Sequence, residues 1–375
     1  MTAPPPLAIL LPTLRGGGAE RLSLTLAREF VAKGHEVRFL LMQSEGELLT
    51  EAQSIGSTRS LGSKRVREAM RTLPSELAGM EGGALIANVW PLTAASAIAL
   101  RMMPSKDRPL LALVEHNTLS SQYANWSRKT RIMLRLSQAL ACRLADRRIS
   151  VSQGVAKDTA HLASLPIRRF DVIHNPVPAV KSTDCALAQA ECMWGSRTGR
   201  RILVVGSLKR QKNQALAMAA FATIRAPGDR LMLLGEGEMR DELTATAQVM
   251  GVADAVLMPG FYPNPAAVFA SADLFVLSSD YEGFGNVLVE ALAAGLPVVS
   301  TDCPSGPAEI LKGGQLGQLV PVGDAAALAR AMAETLATPG DPALRYLRAA
   351  DFAPHKIAAQ YLETLFTANA AVAGG

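Results

Sequence analysis

The sequence predicts an α/β protein made of two Rossmann-like, doubly wound domains that face a central cleft. Three observations predict it. Short apolar runs of strand length alternate with amphipathic helical patterns along the whole chain. Glycine-rich or polar loops follow many of those runs. The series starts twice, once near Leu7 and again near Arg201, with a polar irregular stretch between. A chain of 375 residues, 49% hydrophobic and 19% charged, is long enough to bury two cores of ordinary size.

The first unit opens with a strand over Leu7–Leu11, then the loop Pro12 to Gly18, then a helix from Ala19 to Lys33. Leu22, Leu26, Ala27, Phe30 and Val31 share one face of that helix, and Gly34 suits its C-cap. A second strand covers Glu36 to Met42. Further strands are predicted near residues 84–88, 110–114, 148–152 and 171–173, a parallel arrangement. Asn175-Pro176-Val177-Pro178 closes this domain, taken as residues 1–178. Residues 181–199 read as a linker with a short helix at 186–193. The second series opens with a strand at 201–205 and continues at 230–234, 255–258, 274–277, 297–300 and 318–320, giving a domain over 179–353. A last helix runs from Pro354 to Asn369 within a C-terminal segment 354–375, and residues 370–375 are expected to fray.

No apolar run reaches the length of a membrane span, and Met1 to Pro6 carries no basic region or cleavage pattern. No export signal is therefore expected. Cys142, Cys185, Cys192 and Cys303 have no zinc-ligand or redox spacing, which fits cytoplasmic thiols. The net charge of +5 is uneven: residues 1–178 carry 23 Lys and Arg against 14 Asp and Glu, and the remainder 15 against 19. Basic residues gather at Lys64 to Arg71 and at Arg128 to Arg148. Attraction to an anionic membrane surface or anionic acceptor is one reading, and a solvated arginine-rich surface is the other. Nucleic acid is a poor partner, since aromatics are only 5% and no nucleic-acid module is visible.

In open α/β sheets ligands sit beyond the C-terminal strand ends, so the chemistry is sought in loops just after strands. Gly16, Gly17 and Gly18 precede a helix, where backbone N–H groups can approach an anion or simply form a turn. The triplet lacks dinucleotide and P-loop spacing. His116 follows the strand ending at Val114 and can hydrogen-bond a hydroxyl or phosphate, or only nearby backbone. Ser207, Lys209, Arg210 and Lys212 follow the strand 201–205, where cations can neutralise a diphosphate as it leaves. Lys212, just before a helix, is the best single candidate.

Asp280 to Glu290 is the most informative stretch. A buried strand ends at Leu277, Gly283-Phe284-Gly285 turn the chain, and Asn286 and Val287 start a helix whose first N–H groups face phosphate. Glu282 lies in the loop, beside a donor sugar in this reading. Glu290 lies in the second helical turn, among Val289, Ala291 and Leu292, and can hold a ribose diol through both oxygens. A glutamate in so apolar a helix needs a partner.

Together these residues resemble the retaining glycosyltransferases of family 4, which have the GT-B fold. Glu282 and Glu290 match the family's E-x7-E motif, and Ser278 to Glu309 matches closely around it. The glycine loop, His116, Val151 to Val155, His174 to Val177 and Lys212-Asn213 fall where the family has counterparts. The likeness is specific in the second half and looser in the first. It departs at Gly206-Ser207, where the family often has Gly-Arg; Arg210 or Lys209 is the substitute. The resemblance implies transfer of a sugar from a nucleotide-diphosphate donor to a glycan or lipid-linked acceptor, with retention, in cell-surface polysaccharide or glycolipid synthesis. Lys212, the glycine loop and the helix at Gly285 then stabilise the leaving diphosphate, Glu282 and His116 position the sugar, and Glu290 binds ribose. No cofactor is implied, and without an Asp-x-Asp no metal is expected. The resemblance also implies that the last helix crosses back to the N-terminal domain. It fits a cytoplasmic enzyme, peripheral at the inner membrane face. A sugar-nucleotide epimerase or hydrolase on the same fold, a nucleotide-sugar-binding protein without turnover, and an NAD-dependent oxidoreductase are the alternatives. The missing G-x-G-x-x-G weighs against the last.

Overall fold

Thirteen strands are found among the residues described by the computed structural model, namely 3–179, 182–195 and 198–367. In the first unit they are β1 (Leu7–Leu11), β2 (Val37–Leu41), β3 (Ser57–Ser60), β4 (Ala84–Asn88), β5 (Leu110–Glu115), β6 (Arg147–Ser150) and β7 (Asp171–Val172). The second unit holds β8 (Arg201–Val205), β9 (Arg230–Leu234), β10 (Val256–Gly260), β11 (Leu274–Leu277), β12 (Val298–Thr301) and β13 (Gln318–Val320). The sheets run β3-β2-β1-β4-β5-β6-β7 and β10-β9-β8-β11-β12-β13. The pairings between neighbours are parallel, for example Leu7 with Val37 and Ala84, and Leu203 with Met232 and Phe275. Both orders reverse direction once, between β1 and β4 and between β8 and β11, which is the doubly wound pattern.

The central strands are apolar except at their ends, as at Asn88, Glu115 and Arg201, because helices cover both faces of each sheet. Ala8 and Leu10 of β1 join Leu40, Leu85, Ala87, Leu111 and Leu113 in one core layer. The second unit has its own core around Ile202, Val204, Phe221, Leu231, Leu233 and Val276. β3 was not legible: Ser57-Thr58-Arg59-Ser60 carries no apolar side chain and lies on the sheet edge, mostly exposed. Polar edge strands are a common guard against pairing with another chain.

The two compact units are Met1–Pro176 with Pro354–Gly375, and Val177–Ala353. The last helix, Pro354–Phe366, belongs to the first unit. There Tyr361 meets Phe30 edge-on, with ring centroids 6.4 Å apart, and Arg147 Nε donates to Thr364 O at 2.5 Å. The helix ends at Phe366 and Thr367 is a bend, while the rest of the expected continuation to Asn369 and the fraying of 370–375 lie outside the described residues. The linker expected over 181–199 is corrected in part. Its described portion holds a helix, Asp184–Trp194, capped by Thr183 Oγ1. That helix is packed into the second unit: Trp194 is fully buried, its Nε1 donates to Ser271 Oγ at 2.8 Å, and Glu191 pairs with Arg201 at 2.9 Å. Residues 180, 181, 196 and 197 lie outside the described residues.

Candidate active site

In the second unit the loops after β8 and β11 leave from either side of the strand-order reversal, and they are bound together. Asp280 N donates to Gln211 O (2.9 Å), Gln211 Nε2 to Tyr281 O (2.8 Å) and Ser278 Oγ to Lys212 O (2.9 Å). Asn213 holds a left-handed conformation at φ +43°, which asparagine tolerates, and its Nδ2 donates to Asp280 Oδ1 at 2.8 Å. These bonds fix the backbone on which Lys212 and Glu282 stand.

Lys212 Nζ donates to Glu282 Oε1 at 2.6 Å, and Ser279 Oγ donates to the same oxygen at 2.6 Å. Glu282 is only 5% exposed, so its charge depends on these partners. Among the described residues the other carboxylate oxygen and the remaining two ammonium protons have no partner. Gly206, at the end of β8, lies under the Lys212 side chain, and its φ of +150° suits glycine. The pair therefore presents both a cationic donor and an anionic acceptor.

Gly285 starts the helix Asn286–Ala293 in a left-handed conformation (φ +95°) and supplies no capping side chain. Gly306 makes this turn feasible: at φ +93° it packs so closely on the Phe284 backbone that a Cβ would collide with the Phe284 carbonyl. Asn286 and Val287 are half-buried, while Gly283, Phe284 and Gly285 are buried. The Phe284 ring faces inward, edge-on to Phe352 at 5.4 Å, so this residue offers a ligand only its backbone. Glu290 is half-buried in the second turn, and no donor reaches its carboxylate among the described residues. Burial pushes that carboxyl up to about 7. The partner expected for it is not supplied by the described protein.

Ser207 is exposed, and the structure brings neither Lys209 nor Arg210 to the Lys212–Glu282 pair. Arg210 points away, 3.9 Å from Glu242 and 83% exposed. The missing arginine thus has no substitute among these neighbours in this arrangement.

In the first unit the switch point lies between β1 and β4, and the glycine loop follows β1. Here the expectation is changed. Gly16 N and Gly17 N donate to Glu20 Oε2 at 2.6 and 2.8 Å, and Thr13 Oγ1 donates to Glu20 Oε1 at 3.3 Å. A carboxylate of the chain itself occupies amides expected to meet a ligand. Gly18 stays open, with nothing within 4 Å of a Cβ position.

His116, after β5, is tied to Asn88 at the end of β4. Asn88 Nδ2 donates to Leu10 O and Ile86 O (3.3 and 3.4 Å), which turns Oδ1 to His116 Nε2 at 2.8 Å. Oδ1 can only accept, so the ring carries its proton on Nε2. Nδ1 is buried with no partner among the described residues, and burial pushes the ring down to about 4. His116 is a neutral acceptor here, not a cation. Glu115 behind it accepts from Gln138 Nε2 (2.9 Å) and Thr93 Oγ1 (3.2 Å), and burial pushes it up to about 7. Asn88, Glu20 and Ser279 were not singled out from sequence. Only Glu20 had a signal, as the third helical residue in a capping box.

Two parallel, doubly wound sheets, each with candidate-site loops at its reversal, are the GT-B architecture. Residues 16–180 match the family model for glycosyltransferase family 4, and residues 199–338 that for glycosyl transferases group 1. The chain belongs to the family-4 glycosyltransferases. It is 33% identical over 178 residues to the N-acetylgalactosamine-N,N'-diacetylbacillosaminyl-diphospho-undecaprenol 4-alpha-N-acetylgalactosaminyltransferase of Campylobacter jejuni, over 48% of this chain and 47% of that one. It is 41% identical over 116 residues to the lipopolysaccharide core biosynthesis glycosyltransferase LpsE of Rhizobium meliloti, over 31% and 34% of the two chains. The chain thus spans about half or less of the length of these curated relatives. Its fold is similar to that of Anabaena Alr3699/HepE in complex with UDP-glucose, with a TM-score of 0.81 at 22% identity over 96% of this chain and 98% of that one. No helix among the described residues is long and apolar enough to cross a membrane.

Proposed function

We propose that the protein transfers a sugar from a nucleoside-diphosphate donor to a hydroxyl of a glycan or lipid-linked acceptor, with retention and without a metal ion. The observation that carries this reading is the half-buried Glu290 carboxylate, which lacks a partner among the described residues and lies eight residues after the Lys212-paired Glu282. A ribose diol satisfies such a group with two hydrogen bonds. The helix start at Gly285, which supplies no capping side chain of its own, and the two Lys212 protons without a partner among the described residues then face the diphosphate. As the bond from the anomeric carbon to phosphate oxygen breaks, the acceptor oxygen bonds to that carbon on the same face. The acceptor's proton passes to the leaving phosphate, so no protein nucleophile is needed. Lipid-linked acceptors are favoured because the Campylobacter relative's name specifies a diphospho-undecaprenol acceptor. Surface-polysaccharide synthesis fits the LpsE name as well, which specifies lipopolysaccharide core biosynthesis.

The test is a thermal-shift panel of UDP-, GDP- and ADP-sugars on wild type and Glu290→Ala, followed by turnover with chelator present. Stabilisation by one donor, lost in the variant, and a product of unchanged anomeric configuration are expected. No response to any donor by the folded wild type sinks the reading. Ser207 and the outward Arg210 favour a second reading, a nucleotide-sugar-binding protein without turnover. Donor binding with no transfer to any acceptor, and no donor breakdown, distinguishes it.

A further inference from the structure

The helix Arg128–Leu144 carries five basic residues and no acidic one. Leu134, Gln138, Ala141 and Cys142 form its buried face. Arg128, Arg131 and Arg135, spaced three and four apart, share one flank. They border a cavity of about 420 Å³ whose apolar wall includes Leu119, Tyr123 and Leu162. No carboxylate pairs with these arginines among the described residues; Arg135 donates only to His161 Nε2, at 3.0 Å. Beside the arginine flank runs a stripe at four-residue spacing: Ile132, Leu136 and Leu140 are 49, 67 and 46% exposed. Trp126, just before the helix, pairs with Tyr123 at 4.1 Å between ring centroids and is itself exposed.

A merely solvated helix interleaves charges of both signs and does not expose a row of aliphatic side chains. A site for a small free anion needs the arginines but not the stripe. Unpaired guanidinium groups, an apolar-walled cavity, an aliphatic stripe and an interfacial tryptophan together match one chemistry, a phosphate attached to hydrocarbon. We propose that this face binds the phosphate group of an anionic membrane lipid, held by Arg128, Arg131 and Arg135 at the cavity, with Ile132, Leu136 and Leu140 among the acyl chains. None of these residues belongs to the donor set, and the binding needs no donor, so it stands or falls apart from the transferase reading.

The test is co-sedimentation of the full chain with phosphatidylcholine vesicles, with and without phosphatidylglycerol, and with inorganic phosphate or pyrophosphate as competitor. Wild type is compared with Arg128→Gln/Arg131→Gln/Arg135→Gln and with Leu136→Gln/Leu140→Gln. Unchanged thermal unfolding and unchanged response to nucleotide sugar show that the variants fold. Wild type is expected to bind only the anionic vesicles. An arginine near an anionic surface contributes about fivefold, so the triple variant loses on the order of a hundredfold. The leucine variant loses at least about tenfold. Wild-type-like binding by either variant overturns the proposal, as does no vesicle binding or equal binding to neutral vesicles. Displacement by millimolar phosphate, with no effect of the leucine changes, assigns the cavity to a soluble anion and overturns the lipid source.

Discussion

Glu290 offers a quantitative test of the donor site through its proton. Burial alone holds its carboxyl at about 7 against an ordinary 4.5. At pH 6 the unliganded site is therefore about nine-tenths protonated. A ribose diol donates hydrogen bonds to the carboxylate, favours the ionised form and lowers this pKa, so binding must expel the proton. With the bound-state value well below 6, affinity at pH 6 is about tenfold weaker than at pH 8, and about 0.9 proton leaves per nucleotide sugar bound at pH 6. Calorimetry at pH 6 in two buffers of different ionisation enthalpy counts that proton, and titrations from pH 5.5 to 8.5 give the affinity slope. A doubly esterified diphosphate has no group titrating in this window, and His116, at about 4, lies below it. Glu115 also titrates near 7, so the Glu290→Gln variant isolates the Glu290 contribution. The variant should bind more weakly and lose this part of the slope. Equal slopes and equal proton release in wild type and variant refute the ribose assignment. Without ligand the sign is opposite. The folded state holds this proton more tightly than the unfolded chain, so its stabilising share is full below about 4.5 and is lost as pH rises through about 7.

Removing one member of the Lys212–Glu282 pair strands a buried charge: Lys212→Met is expected to cost about 3–5 kcal/mol, and the double variant Lys212→Met/Glu282→Gln less than the sum of its singles. Denaturant titrations give the coupling, and a value near zero removes the pair from the account. Gly306→Ala forces a Cβ into the Phe284 backbone, so it should both destabilise the fold and abolish the donor response. Gly313→Ala, equally left-handed at φ +65° but with nothing within 4 Å, should cost only about 1 kcal/mol. Matching thermal shifts for the two glycine variants would show that strain alone, not the Phe284 contact, matters there. His116 should appear in NMR at pH 6 as the neutral Nε2–H tautomer. Its folded pKa is depressed, so its share of stability is present above about 6.5 and fades as pH falls through about 4; a charged imidazole at pH 6 contradicts that depression, and a neutral Nδ1–H tautomer contradicts the Asn88 assignment.

Most of the fold was legible because a sheet covered on both faces needs strands that are apolar but for their ends. β1, β4, β5, β8, β9 and β11 announce themselves as such runs. β3 did not, because an edge strand has only one neighbour and little to bury. The helix at Asp184–Trp194 was legible as a helix but not as a packed one. Its anchorage rests on Trp194 meeting Ser271 and Glu191 meeting Arg201, partners that sequence distance conceals.

The site divides in the same way. Residue types at strand ends were readable, since the chain must turn there and expose its backbone. What could not be read is how those residues are shared among themselves. Glu282 and Lys212 were assigned separately, to sugar and to diphosphate, yet they form one ion pair, so whatever draws Lys212 toward a phosphate also uncovers the Glu282 carboxylate. The glycine loop makes the point more sharply. Glycines were expected there because backbone N–H groups must come close to an anion, and they do, but the anion is Glu20. An external phosphate at Gly16 and Gly17 must first displace a carboxylate that makes two short charge-assisted hydrogen bonds. The loop therefore favours no ligand until that exchange is offset, whereas Lys212 and Glu290 require no such exchange of amides. On the proposed reading, nucleotide capture rests on Lys212 and Glu290 of the second unit, and the glycine loop of the first binds a phosphate only after Glu20 has moved.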